Sequence, residues 1–134
     1  MLLDKSYLLG NKGISVIKNA MKNNFGNDIE LINEELDLKR HGWFAIKYEY
    51  FPQKYLILFE GEFNTFNIRI VNRDGGFIAL KQLTDYKNNL LEEDIMCTIN
   101  KMKVRLESPI NFYKVIDNKL FQQVGGKYKR VKGW

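Results

Sequence analysis

Alternation of apolar and polar residues in the middle third of the chain is the feature that most constrains its fold. In the run 43–51, an aromatic or aliphatic side chain occupies every even position from 44 to 50. The runs 54–63, 66–70 and 77–80 are similar and lie close together along the chain. Because successive side chains of a strand point to opposite faces, this pattern predicts strands with one buried face. We therefore expect an antiparallel meander of about four to five strands.

Glycine and proline residues mark where this meander turns. Pro52 and Gln53 separate two runs, and the segment 72–76 (Asn-Arg-Asp-Gly-Gly) favours a hairpin because Asp-Gly and Gly-Gly readily adopt positive φ. Gly61 interrupts the run 54–63 and predicts a β-bulge. Upstream, residues 28–33 alternate and predict a short first strand, whereas the charged residues 34–42 predict a loop.

Two segments with helical periodicity lie on either side of the meander. Apolar residues recur at helical spacing within 12–25, and Gly26 is a candidate C-terminal cap. In the second segment, apolar residues recur every three or four positions from Leu91 to Leu106, with Thr84 as a candidate N-cap and Ser108-Pro109 as the stop. We expect both helices to pack on one face of the sheet.

The end of the chain is again strand-like. The segments 112–116, 120–124 and 127–132 have strand character, and Gly125-Gly126 favours a two-residue hairpin loop. With no long linker or internal repeat, residues 1–134 are predicted to form a single α+β domain that ends in a C-terminal β-hairpin. The single cysteine, Cys97, permits no intramolecular disulfide. No run of about 18 apolar residues and no secretory signal is evident, so we expect a cytoplasmic protein without a membrane segment.

Positive charge is concentrated at the C-terminal end. The chain carries a net charge of +5, and residues 101–134 contain nine basic and two acidic residues, whereas residues 1–100 carry −2. The basic C-terminal segment 101–134 also contains five aromatic residues: Phe112, Tyr113, Phe121, Tyr128 and Trp134. Cations mixed with aromatic rings favour a negatively charged partner, either an acidic protein or a nucleic acid.

The predicted binding residues are the cations and the tyrosine of the last predicted strand, together with the tryptophan that follows it. They are Lys127, Tyr128, Lys129, Arg130, Lys132 and Trp134. Strand alternation assigns Lys127 and Lys129 to one face, and Tyr128, Arg130 and Lys132 to the other. An alternative interpretation is an edge strand whose lysines prevent unwanted strand pairing.

The residues that could support catalysis are few and form no recognisable motif. His41 is the single histidine, and it lies in a basic segment before a predicted strand. Carboxylates on predicted neighbouring strands could supply a proton-transfer or metal site: Glu49, Glu60 and Glu62. A metal-free RNase would need a base, an acid and cations, for which Glu49 or Glu62, His41, Arg69 and Arg73 have the right types. Since no spacing selects these residues, we predict no catalytic residues, no metal site and no cofactor.

The sequence therefore favours a small, non-enzymatic binding or inhibitor protein of the immunity or phage anti-defence type. Its expected partner is a larger acidic protein or nucleoprotein, for example a nucleic-acid enzyme whose acidic groove the basic segment enters. Two alternatives remain open. The same surface could bind DNA or RNA directly, or the chain could be a small basic RNase-type toxin.

Overall fold

A computed structural model describes residues 7–132 of the chain. It contains two α-helices and eight β-strands. The helices are α1 (Asn11–Phe25) and α2 (Glu92–Leu106). The strands are β1 (Ile29–Asp37), β2 (Trp43–Tyr50), β3 (Tyr55–Glu62), β4 (Thr65–Val71), β5 (Phe77–Ala79), β6 (Tyr113–Ile116), β7 (Lys119–Val124) and β8 (Lys127–Arg130). Short 3₁₀ turns follow α1 and β5. No helix among the described residues is long and apolar enough to cross a membrane.

All eight strands form one antiparallel sheet in which spatial order follows chain order from β1 to β8. This α+β architecture agrees with the predicted class, and β7 and β8 form the predicted C-terminal hairpin, but the predicted four to five strands are not confirmed because the sheet has eight. Strands β6 to β8 extend the meander, since Tyr113 of β6 pairs with Phe77 of β5 across the inserted helix α2. Local patterns cannot reveal this junction, because its two strands are distant along the chain and share one residue pair.

Two further expectations are corrected at β1 and β3. Residues 34–37 belong to β1 instead of a loop, because they pair in register with β2, as Leu36 does with Phe44. Gly61 is in regular register, opposite Phe44 on one side and Phe66 on the other, so it makes no bulge. The irregularity of the described sheet occurs in β1 instead, between Leu31 and Asn33.

The buried residues of β2, β3 and β4 occupy one face of the sheet and form a core together with residues of both helices. We call this the inner face and its opposite the outer face. Phe25 at the end of α1 packs edge-to-face against Tyr50 of β2, with ring centroids 5.5 Å apart. In α2, the apolar residues that recur every three or four positions are buried, namely Ile95, Ile99, Met102 and Leu106.

The helix ends are close to those expected, with one exception. Gly26 has a φ of 54° and its N–H bonds to the carbonyl of Lys22, as expected of a C-terminal cap. Helix α2 begins after Leu91, so Thr84 does not cap it. An irregular connection precedes α2, and it is held by hydrogen bonds from Leu90 N–H to the Asn64 carbonyl and from Leu8 N–H to the Leu90 carbonyl.

Replacing Thr98 with valine is expected to stabilise the protein by about 1 kcal/mol. The Thr98 side chain on α2 is fully buried, and its hydroxyl has no hydrogen-bond partner among the described residues. Valine keeps the shape and removes the cost of an unsatisfied polar group. Urea unfolding of Thr98→Val measures the change, and Thr98→Ser, which keeps the hydroxyl but loses the methyl, should be less stable than the wild type. A destabilised valine variant would contradict this account.

Candidate functional site at the basic sheet edge

Strand β8, the last strand of the sheet, carries most of the predicted binding residues. One side of β8 pairs with β7, from Phe121–Arg130 to Val124–Lys127. No strand of the described chain pairs with its other side. We define the basic edge as Lys127, Tyr128, Lys129, Arg130 and Lys132. An open strand of this kind offers backbone donors and acceptors beside its charged side chains.

The cations of the basic edge lie on both faces of the sheet. Following the register from Phe77 through Tyr113 and Gln122 places Lys129 on the outer face, with Lys127 beside it. Tyr128 and Arg130 therefore lie on the inner side of β8, as strand alternation predicts. All four cations of the basic edge are exposed. A ligand that lies beside the edge can thus meet positive charge on both of its faces.

Tyr128 anchors the basic edge to the rest of the sheet. Its half-buried hydroxyl accepts a 3.2 Å hydrogen bond from Asn72 Nδ2, in the turn between β4 and β5. Asn72 Oδ1 in turn accepts a 2.6 Å bond from Gly76 N–H. On β6, Lys114 Nζ lies 5.5 Å from the centroid of the Tyr128 ring. These contacts hold Tyr128, and with it β8, against the turn between β4 and β5 and against β6.

The cations of the last three strands are not neutralised by the described carboxylates. Within residues 7–132, the ion pairs are Lys18–Glu34 at 2.8 Å and Arg40–Glu62 at 3.2 Å. Both lie outside β6 to β8, so the charge of the basic edge remains available to a partner. Trp134, the remaining predicted contact, lies outside the described residues.

The candidate catalytic residues come together only in part: the His41 carbonyl accepts a 3.3 Å hydrogen bond from the N–H of Phe63, the residue that follows Glu62. Exposed His41 has a φ of 52° and stacks on Phe63, with ring centroids 4.1 Å apart. Glu62 receives a hydrogen bond from Arg40, and Glu60 Oε2 accepts a 2.8 Å bond from the Trp43 indole. The structure therefore shows local surface contacts around His41 and these carboxylates.

The full residue set considered for an RNase is not brought together, although His41 and Glu62 are neighbours. Glu62 pairs at the start of β4, while Arg73 follows its end, so the full length of β4 separates them. Glu49 and Arg69 occupy different strands without a mutual hydrogen bond among the described contacts. In the described part of the chain, no group of three or more His, Cys, Asp or Glu residues could hold a metal ion.

Two surface features escaped the sequence interpretation. The outer face of β1 to β5 forms an open groove of about 680 Å³, where cations such as Lys47 and Arg69 lie near the carboxylates of Glu35 and Glu60. The second feature is the exposed acidic strand β1 at the opposite end of the sheet. Glu34, Glu35 and Asp37 of this strand lie in the segment predicted as a loop, although the run of acidic residues itself is visible in the sequence.

Comparison with known proteins gives this geometry no relative. No family model, no curated protein and no solved structure matches the chain. The functional proposal therefore depends on the basic edge itself.

Proposed function

We propose that this protein is a non-enzymatic binding protein that engages an acidic partner through its basic edge. The observation that carries this proposal is the open side of β8, whose exposed cations have no ion-pair partner among the described carboxylates. Addition of a strand to such an edge uses backbone hydrogen bonds for affinity and side chains for specificity. Because an added strand has side chains on both faces, cations on both faces of β8 favour an extended acidic segment.

The chemical class of the partner follows from the positive charge of the basic edge. A larger acidic protein or nucleoprotein supplies the negative surface, and complementary charge accelerates the encounter and excludes basic competitors. An immunity protein or phage anti-defence inhibitor acts in this way when it occupies the acidic groove of a nucleic-acid enzyme. In this proposal the protein acts in the cytoplasm, where its exposed free cysteine, Cys97, stays reduced.

The arrangement of the helices supports use of an edge. The buried residues of α1 and α2 belong to the same core as the inner-face residues of β2 to β4. We infer that both helices cover this inner face. The sheet then presents to partners its outer face and its two edge strands, and the basic edge is one of these strands.

Removing the cations of the basic edge should weaken partner binding by about 30-fold, if each of the four contributes about 0.5 kcal/mol. The test variant replaces Lys127, Lys129, Arg130 and Lys132 with alanine. A matched control replaces four exposed lysines elsewhere, Lys12, Lys22, Lys39 and Lys103, and so loses the same charge. Both variants are used to capture partners from a lysate of the native host, and the captured protein is then titrated at several salt concentrations.

The proposal requires weaker binding and a flatter salt dependence in the edge variant than in the control. Equal binding by the two variants would refute it. Retention of DNA or RNA by the purified protein at low salt, with log K falling by several units per log unit of salt, would instead support direct nucleic-acid binding. The anchored ring of Tyr128 argues against that alternative, because base stacking needs a free aromatic face.

A further inference from the structure

The first strand of the sheet complements the last in charge. Strand β1 pairs with β2 on one side, and no described strand pairs with the other. Its residues from Glu30 to Asp37 are exposed, and we define the acidic edge as the regular part beyond the bulge, residues 33–37. This part contains Glu34, Glu35 and Asp37 but no basic residue. The same sheet thus ends in a negative strand on one side and a positive strand on the other.

The backbone groups of the acidic edge that face outward can be identified from the ladder. Phe51 N–H bonds to the Asp28 carbonyl at 2.8 Å, so Phe51 directs its backbone groups toward β1. Backbone direction alternates along an antiparallel strand, and β2 has no bulge, so Ala45 and Trp43 also face β1. Their partners Glu35 and Asp37 therefore bond to β2. Glu34 and Leu36 are left with N–H and C=O groups directed away from the sheet.

The same reasoning identifies the outward groups of β8. Val131 N–H bonds to the Leu120 carbonyl at 2.8 Å, which continues the β7–β8 ladder by one pair. By alternation, Lys129 and Lys127 bond to β7. Tyr128 and Arg130 therefore direct their backbone N–H and C=O groups toward the open side.

We propose that β8 of one copy pairs with β1 of a second copy, in the register that places Tyr128 opposite Leu36 and Arg130 opposite Glu34. Strands β1 and β8 run in opposite directions within one sheet, so a second copy in the same orientation continues the antiparallel order. In this register the two outward-facing residues of β8 meet the two outward-facing residues of β1. The backbone ladder therefore closes without any change in either strand.

The side chains agree with the same register on both faces. On the outer face, Lys127 comes opposite Asp37 and Lys129 comes opposite Glu35. On the inner side, Arg130 comes opposite Glu34, which in its own chain pairs with Lys18. Tyr128 comes opposite Leu36, which is 36% exposed in the single chain. Three opposite-charge pairs and one apolar pair thus form together, each contributing about 0.2–1 kcal/mol.

Charge also excludes the competing pairings. Two copies of β8 would bring lysines and arginine against each other, and two copies of β1 would oppose carboxylates, both of which are unfavourable. The favourable contact is head-to-tail, with β8 of one copy against β1 of the next. Each added copy leaves one β1 and one β8 unpaired at the ends, so the assembly is an open-ended chain of copies. The contact is short, because β8 has four residues. Association is therefore expected at high protein concentration and low salt.

Charge reversal on each edge provides a reciprocal test by sedimentation of the full chain. Glu35→Lys with Asp37→Lys makes the outer face of both edges basic, and Lys127→Glu with Lys129→Glu makes the outer face of both edges acidic. At low salt the wild type should gain mass with concentration, and about 1 M salt, where the screening length is about 3 Å, should abolish this gain. Each variant alone should associate at least tenfold more weakly, and an equimolar mixture of the two should regain association. A monomeric wild type, or a mixture of folded variants that stays monomeric, would overturn the proposal.

A disulfide test checks the register without reversing charge. In a Cys97→Ser background, Glu35→Cys with Lys129→Cys should form disulfide-linked multimers, since these residues would be a non-hydrogen-bonded pair with Cα atoms about 4.5 Å apart. Glu35→Cys with Lys127→Cys is the matched control, two residues out of register on the same face, and should cross-link several-fold less. Equal cross-linking of the two would overturn the register.

This inference rests on the proposed function, because both use the open side of β8. The β8–β1 contact and the binding of an acidic partner can nevertheless fail separately. The variant with Glu35→Lys and Asp37→Lys keeps every cation of the basic edge. It should still capture the acidic partner while losing self-association. A wild-type protein that self-associates but captures no acidic partner would reject the proposed function and leave the head-to-tail contact standing.

Discussion

Replacing Gly61 with alanine is expected to destabilise the protein by about 1–3 kcal/mol. Gly61 lies on the inner face of β3, directly between Phe44 on β2 and Phe66 on β4. Both phenylalanines are almost completely buried. A Cβ atom built at Gly61 overlaps the ring of Phe44, which is fully buried. The side chain of any other residue must therefore displace the centre of the core.

A double-mutant cycle separates this overlap from a general effect of alanine in a strand. Urea unfolding gives the free energy of unfolding for Gly61→Ala, Phe44→Leu and the combination of both. Leucine at position 44 vacates the space of the ring edge, so Gly61→Ala should cost less in that background, with a coupling of about 0.5–3 kcal/mol. An equal cost of Gly61→Ala in both backgrounds would show that the ring is not the reason for glycine here.

Raising the pH from about 10 to about 12 is expected to cost the protein up to about 3 kcal/mol of stability through Tyr48 alone. Tyr48 is 4% exposed on the inner face of β2. Burial, helped by the negative charge of Glu34, raises the pKa of its phenol from 10.0 to about 12. Below pH 10 the phenol is protonated in both states, and stability is unaffected. Between the two pKa values the unfolded chain loses the proton while the folded chain retains it, so unfolding becomes more favourable.

Urea unfolding of the wild type and of Tyr48→Phe, at neutral pH and near pH 11, measures this linkage. Phenylalanine cannot ionise, so the variant should lose less stability on going to alkaline pH. Some loss should remain, because burial also raises the pKa of Tyr50, Tyr55 and Tyr86. The same alkaline loss in both proteins would show that Tyr48 ionises with an ordinary pKa in the folded state.

Strands that are buried on one face could be predicted closely from the sequence. The alternation in β2 and β4 is visible because every second side chain enters the core, as Phe44 and Ile46 do. The predicted ends of α1 and β2 differ from the observed ends by one residue. Where burial alternates, the sequence must alternate as well, and local reasoning is sufficient.

Strands with little burial could not be predicted in the same way. The acidic edge is exposed on both faces, so residues 34–37 have no apolar alternation and their pairing with β2 leaves no signal. The pairing of Phe77 with Tyr113 depends on how the intervening segment, which contains α2, packs in the folded protein. These two features explain why the sequence indicated a sheet with fewer strands. They also explain why the opposite charge of the two sheet edges emerged only from the structure.

For the candidate site, the sequence indicated which faces of the strand its residues occupy, but not the contacts they make with distant parts of the chain. The cations of β8 follow from composition, and their division between faces follows from alternation. The bond from Asn72 to Tyr128 joins residues far apart along the chain, so nothing local predicts it. This contact holds Tyr128 against the turn between β4 and β5.

The order of the strands in the sheet has a consequence for how fast the chain folds. Because neighbouring strands are consecutive along the chain, most pairings join residues of small sequence separation, a topology typical of rapid folding. The junction between β5 and β6 is different, since residues 80–112 must be organised before it closes. We therefore expect strands β1 to β5 and strands β6 to β8 to form independently. The rate-limiting step is then the pairing of β5 with β6, which joins the two groups.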